Sequence, residues 1–109
     1  FSITANDLKP SECSSLNLSN IVVGRNGTNA NDLILGSVGN ESLRGGNGHD
    51  CIVGGGGDDS LNGQNGDDIL LGGDGDDGLD GGPGSDVCIG GSGFDTGDKS
   101  CEIEIEIEG

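Results

Sequence analysis

Apolar side chains along this 109-residue chain follow neither a helical stripe nor a simple strand alternation. From residue 27 to residue 98 they centre on one column that recurs every nine positions: Ile34, Leu43, Ile52, Leu61, Leu70 and Leu79, with Cys88 and Gly97 at the same phase. A fixed period of this kind marks an internal repeat and outranks local signals. The residues flanking the column alternate in character from unit to unit. In the units that begin at Gly27, Gly45, Gly63 and Gly81 they are Leu33 and Leu35, Cys51 and Val53, Ile69 and Leu71, Val87 and Ile89. In the units that begin at Gly36, Gly54, Gly72 and Gly90 they are Ser42 and Arg44, Ser60 and Asn62, Gly78 and Asp80, Thr96 and Asp98. Side chains alternate across a strand. Each unit thus predicts a short strand with its central residue inward and its flanking residues outward. The flanking positions are thus apolar in one alternate set of units and polar in the other. A contiguous apolar outer face calls for a cover.

The flanks of the repeat read differently. Residues 1–26 lack the period but hold Ile3, Leu8, Leu16, Leu18, Ile21, Val22 and Val23. They are expected to form a cap over the first coil and part of the apolar sheet, with a short helix around Pro10–Leu16. Residues 99–109 end in strict Glu/Ile alternation over Glu102–Glu108, a strand pattern that places Ile103, Ile105 and Ile107 on one side. This tail is expected to be a closing rung that protects a sheet edge. The organisation is a cap (1–26), a repeat domain (27–98) and a closing strand (99–109).

Two further columns run through the turns. The first position of every unit is Gly, and the fourth is Gly except at Ala30. The sixth is acidic throughout: Asp32, Glu41, Asp50, Asp59, Asp68, Asp77, Asp86 and Asp95. With the apolar eighth position, these residues resemble the hemolysin-type (RTX) calcium-binding repeat, G-G-x-G-x-D-x-U-x with U a large apolar residue. The resemblance covers residues 27–98. It implies an all-β fold, a right-handed parallel β-roll (solenoid) of about four 18-residue coils. Two units make one coil, with six residues of each unit in a calcium-binding turn and three in a strand.

The residue types agree with that chemistry. Glycine reaches backbone angles closed to other residues. Such turns can aim carbonyl oxygens inward near Gly45, Gly46, Gly48, Gly54, Gly55, Gly57, Gly63, Gly66, Gly72, Gly73, Gly75, Gly81, Gly82 and Gly84. Calcium takes six to eight hard oxygens, mixing carboxylate and carbonyl. Units two apart stack, so Asp32 pairs with Asp50, Asp50 with Asp68 and Asp68 with Asp86 on one edge. On the other edge Glu41 pairs with Asp59, Asp59 with Asp77 and Asp77 with Asp95. This predicts up to about six interior Ca²⁺ sites. The units holding Asp32 and Glu41 depart from the pattern at Thr28, Ala30, Ser37 and Glu41 itself, and Gln64 is a milder departure. Asp and Gly are ordinary turn residues, but turn preference does not generate a strict nine-residue spacing.

Composition narrows the functional classes. Four Lys+Arg stand against twenty Asp+Glu, a net charge of -16, with 29% hydrophobic residues, 2% aromatic residues and 25 Gly. A chain so acidic and apolar-poor cannot order itself by burial alone, which leaves disorder or metal-driven folding. The same charge repels phosphate, so no nucleic-acid partner is expected. No apolar run approaches a transmembrane span. The chain begins at Phe1, so a removed export signal or excision from a longer secreted protein is expected.

Four cysteines in so short a chain point to disulfides and an oxidising compartment. In the coil arrangement, Cys51 and Cys88 lie two coils apart and face opposite ways, and Cys51 to Cys101 spans about three coils. The expected pairs are Cys13–Cys51, stapling the leading segment to the apolar sheet, and Cys88–Cys101, closing the last coil. A catalytic thiol or a zinc site from scattered single Cys fits less well.

Other chemistry is sparse. His49, the one histidine, occupies the fifth position of a turn and reads as a solvent-facing residue without acid–base duty. Paired acids such as Asp58/Asp59 and Asp67/Asp68 are better read as metal ligands than as glycosidase carboxylates, because they repeat. The spacing excludes collagen and an EF-hand, and lone Thr96 excludes a threonine ice-binding ladder. Asn17, Asn26 and Asn40 stand in N-x-[ST] sequons.

The expected function is a non-enzymatic, secreted or cell-surface calcium-binding module with a structural or adhesive role. One alternative is a self-assembling subunit of an extracellular filament or matrix. It would use the apolar face (Leu33, Leu35, Val53, Ile69, Leu71, Val87, Ile89) or the tail isoleucines. Another is an accessory domain, with calcium-mediated carbohydrate contact, of a larger secreted enzyme.

Overall fold

The structure is a computed structural model, and it describes residues 13, 17–24 and 26–91 and the backbone of 96–97 and 101–105. Ten short strands follow one another: β1 (Asn20–Val23), β2 (Asp32–Leu35), β3 (Ser42–Arg44), β4 (Cys51–Val53), β5 (Ser60–Asn62), β6 (Ile69–Leu71), β7 (Gly78–Asp80), β8 (Asp86–Ile89), β9 (Thr96–Gly97) and β10 (Cys101–Ile105). They alternate between two sheets, of order β1-β2-β4-β6-β8-β10 and β3-β5-β7-β9. Every pairing is parallel. The result is an all-strand parallel β-roll of about three turns.

The register is the nine-residue repeat made visible. Ile34 lies opposite Ile52, Ile52 opposite Leu70, and Leu70 opposite Cys88. On the other sheet Leu43 faces Leu61, and Leu61 faces Leu79. A one-residue slip would turn this column outward, so the pattern itself holds the register. These residues form one buried file, Val22, Ile34, Leu43, Ile52, Leu61, Leu70, Leu79 and Cys88. Within the repeat it is one side chain per unit, and each Leu or Ile is worth about 1.5–3 kcal/mol when buried. Gly97 of β9 ends the column without a side chain.

The leading segment adds a rung that the period did not predict. β1 lies inside the region read as a cap, yet it is a rung of the roll, with Asn20 opposite Asp32 and Val22 opposite Ile34. It escaped the repeat because it stands twelve positions before its partner rather than eighteen. Its inward residue, Val22, nevertheless joins the core. The short helix expected around Pro10–Leu16 falls outside the described residues, apart from Cys13.

The apolar sheet face is not open. Leu33, Cys51 and Ile69 point away from the roll interior but are buried, packed with Cys13 and Leu18. Leu35, Val53, Leu71 and Val87 pack against this second cluster and are partly buried. A disulfide joins Cys13 to Cys51, with Cα atoms 6.1 Å apart. Cys88 is also disulfide-bonded. The partner expected for it, Cys101, lies in β10, whose side chains are outside those described. β10 pairs with β8, with a register shift between Cys101 and Ile103. Ile107 and Asp95 lie outside the described residues.

Candidate metal centre

Each turn crosses from one sheet to the other in six residues and ends on its acid. The acids stack along the two edges as the repeat dictates. The backbone N–H of Asp32 donates to Asp50 Oδ1 at 2.8 Å, that of Asp50 to Asp68 Oδ1 at 2.7 Å, and that of Asp68 to Asp86 Oδ1 at 2.7 Å. On the opposite edge Glu41 N–H donates to Asp59 Oδ1 and Asp59 N–H to Asp77 Oδ1, both at 2.8 Å. One oxygen of each carboxylate thus ties its coil to the coil before.

The other oxygen faces the inside of its turn. Oδ2 of Asp50, Asp59 and Asp68 is buried and has no hydrogen-bond partner. A buried polar atom left without a partner costs about 1–3 kcal/mol, and more when it is charged. The first glycine of each unit leaves the space beside it. A Cβ at Gly63 would lie 2.6 Å from Asp68 Oδ2 and 2.8 Å from the Gly81 carbonyl oxygen. The same pairing recurs at Gly45, with Asp50 Oδ2 and the Gly63 carbonyl, and at Gly54, with Asp59 Oδ2 and the Gly72 carbonyl. At Gly72 it recurs with Asp77 Oδ2 and the Gly90 carbonyl. Each cradle combines a carboxylate oxygen of one coil with a carbonyl oxygen of the next. An alanine at the first position would fill it.

Electrostatics give the same answer. Burial pushes Asp50 up to about 7, with the neighbouring Asp32 carboxylate adding to the rise against the lowering effect of the Asp32 N–H. Burial pushes Asp68 up to about 8, and the charges of Asp50 and Asp86 add to it. Asp59 is raised for the same reason, with Glu41 and Asp58 contributing. Like charges stacked in a dry column favour the neutral form, and a cation among them reverses that preference.

Among the described residues, no three His, Cys, Asp or Glu side chains converge on one point. The donors on offer are single carboxylates backed by carbonyls, all hard oxygen. That set suits calcium and lacks the soft or nitrogen ligands that zinc and the later transition metals select.

The turn conformations divide in two. The second residue of the later turns is left-handed at Gly46, Gly55, Gly73, Gly82 and Gly91, and also at Gln64, whose φ is 64°. The N–H of Gln64 donates to Asn62 Oδ1 at 3.0 Å, which braces the one non-glycine residue held there. Thr28 and Ser37, at the same position of the first two turns, are not left-handed. In those turns the acids have local partners. Asp32 Oδ2 accepts the Thr28 N–H at 2.6 Å, and the Thr28 hydroxyl lies 3.0 Å from both carboxylate oxygens. Asn20 Nδ2 donates to Asp32 Oδ1 at 3.0 Å. Glu41 Oε1 accepts the Ser37 N–H at 2.5 Å.

A second ladder was not anticipated. The fifth residue of each turn accepts the N–H of its counterpart one coil later: Asn31 from His49, His49 Nδ1 from Asp67 at 2.8 Å, and Asp67 from Ser85. Asn40 accepts from Asp58, and Asp58 from Asp76. His49 is the solvent-facing turn residue expected, and also an inter-coil acceptor. The signal was present, because every one of these acceptors is Asn, His or Asp. Asn29, Asn47 and Asn65 form a shorter side-chain ladder at the third position, which Pro83 ends.

Fold and site together define the class: a parallel β-roll whose stacked glycine turns present columns of carboxylate and carbonyl oxygen. The family model for the RTX calcium-binding nonapeptide repeat (4 copies) matches residues 26–61 and again residues 62–96, and the chain belongs to that family. A search of the curated proteins and a search of the solved structures returned no match. Among the described residues, no helix is long and apolar enough to cross a membrane.

Proposed function

We propose that this chain is a secreted or cell-surface structural module that becomes compact on binding calcium outside the cell, and that it is not an enzyme. The observation that carries this reading is the row of buried carboxylate oxygens without partners at Asp50, Asp59 and Asp68. Together with Asp77 and Asp86 and the turn carbonyls, these residues would hold the ions. Bound calcium would supply the missing partner for those oxygens and neutralise stacked charge. Because a site exists only when two coils are stacked, binding free energy becomes folding free energy. The Cys13–Cys51 bridge supports an oxidising, extracytoplasmic setting.

A structural or adhesive role is favoured over self-assembly through the apolar sheet, because Cys13 and Leu18 of the same chain already pack on that face. Far-ultraviolet circular dichroism with calcium and with EDTA, on oxidised and reduced protein, tests the central reading. Calcium is expected to raise a β signal that EDTA largely removes, more completely after reduction. A full β signal in EDTA for the reduced chain would refute calcium-driven folding. Sedimentation in calcium tests the absence of assembly, and a monomer is expected.

A further inference from the structure

Six inter-coil steps are open to ions by spacing alone, but the first step on each edge differs from the rest. In the turns that end at Asp50, Asp59 and Asp68 the second residue is left-handed and the carboxylate oxygen facing the turn interior has no partner. Thr28 and Ser37 carry a Cβ, which disfavours the left-handed region, and each takes another path. On that path their own N–H groups donate into the turn, to Asp32 Oδ2 and Glu41 Oε1. The Thr28 hydroxyl lies against both oxygens of Asp32, and Asn20 of β1 donates to one of them. The donors occupy the carboxylate positions that point at the cradle at Asp50, Asp59 and Asp68. A Cβ at Gly27 would lie 2.7 Å from Asp32 Oδ2 and 2.5 Å from the Gly45 carbonyl, so the cradle is built but its carboxylate is already engaged.

We propose that the turns 27–32 and 36–41 are closed by their own hydrogen bonds and take no ion. Ion binding starts at Asp50 and Asp59. The first coil, braced by β1 and tied to β4 through Cys13–Cys51, is an ion-independent end on which the ion-bound coils stack. The departures from the repeat at Thr28, Ala30, Ser37 and Glu41 are thus a substitute for metal. At the first inter-coil step of each edge, N–H and O–H donors thus satisfy the carboxylates in place of an ion.

This inference rests on the calcium reading, and ion counting by equilibrium dialysis of the full oxidised chain separates the two. Wild-type protein must bind calcium; if it binds none, the calcium reading falls and this one with it. Given binding, Asp32→Asn and Glu41→Gln are expected to leave the number of bound ions unchanged, whereas Asp68→Asn lowers it by at least one. Thr28→Gly with Ala30→Gly restores the repeat and is expected to add one ion. Loss of an ion in Asp32→Asn or Glu41→Gln, or no gain in the double glycine variant, would overturn the closed-turn reading while leaving calcium binding intact. Circular dichroism in calcium accompanies each count. Should one variant fail to fold, the count for the others decides, since the loss and gain arms are independent.

Discussion

At the scale of single residues, the backbone sign at each turn position separates glycines that are required from those that are not. Gly48 has φ +96°, and a Cβ there would lie 2.6 Å from the Ala30 carbonyl oxygen. Gly39, at the same position of an earlier turn, is not left-handed and has only the Ser37 hydroxyl near that point, at 3.9 Å. Gly48→Ala is expected to destabilise the calcium-bound chain by more than about 1 kcal/mol. Gly39→Ala should be neutral or stabilising by about 0.4–1 kcal/mol, because it reduces the freedom of the unfolded chain. Thermal unfolding of both variants in calcium checks the contrast. Equal losses would mean that the two turns share one conformation.

The buried acids set the pH response at the same scale. An unfolded Asp titrates near 3.9. In the folded chain without ions, Asp50 is pushed up to about 7 and Asp68 to about 8. Between those limits the folded chain holds more protons than the unfolded one. Its ion-free stability therefore falls as pH rises through that window, the reverse of a salt-bridged carboxylate. Calcium requires the same groups ionised, so its apparent affinity must rise with pH and its binding must release protons. Calorimetric titration at pH 6 and pH 8 is expected to show affinity tighter by roughly tenfold or more at pH 8. A flat profile would remove Asp50 and Asp68 from the site.

At the scale of elements, each strand is too short to stand alone, and stability comes from neighbours. Leu61 in β5 is fully buried between Leu43 and Leu79, so Leu61→Ala is expected to cost about 2–5 kcal/mol. The outer cluster depends on a different device. Cys13 and Cys51 are 38 positions apart in sequence, and closing such a loop stabilises by at most about 4 kcal/mol in the chain-entropy account. Replacing both by Ser is expected to lower the melting temperature in calcium and to raise binding of an apolar dye as Leu33 and Ile69 lose their cover. Unchanged dye binding would show that packing of Leu18 alone keeps the face covered. The ends of the six-stranded sheet also differ. β10 covers the edge of β8, whereas β1, at the far end, leaves Val23 66% exposed.

At the scale of the whole molecule, a charge of -16 on 109 residues opposes compaction wherever ions are absent. Screening and ligation make different predictions. In 1 M sodium chloride the screening length falls to about 3 Å, which removes most long-range repulsion but gives the Oδ2 atoms of Asp50, Asp59 and Asp68 no ligand. Salt with EDTA is therefore expected to leave the chain largely unfolded, and millimolar calcium at low salt to fold it, both read by circular dichroism. Folding in salt alone would assign the effect to net charge rather than to sites. Each coil touches only its neighbours, so stability is expected to build coil by coil from the first.

Much of this architecture was legible in the residues because a repeat states its own register. Once Ile34, Ile52 and Leu70 recur at a fixed spacing with glycine and acid at fixed offsets, only stacked parallel coils bury the one column and gather the other. Non-local interactions then follow from sequence distance alone. What the repeat did not contain was settled by three-dimensional packing. β1 joins the roll off-period, because burying Val22 over Ile34 needs only the right face and not the right spacing. Leu33, Cys51 and Ile69 are covered because Cys13 and Leu18, which lie outside the repeat, pack against them. The closed first turns depend on the backbone sign at Thr28 and Ser37, and hence on where two N–H groups point, a matter of local geometry that a column of aligned acids does not express.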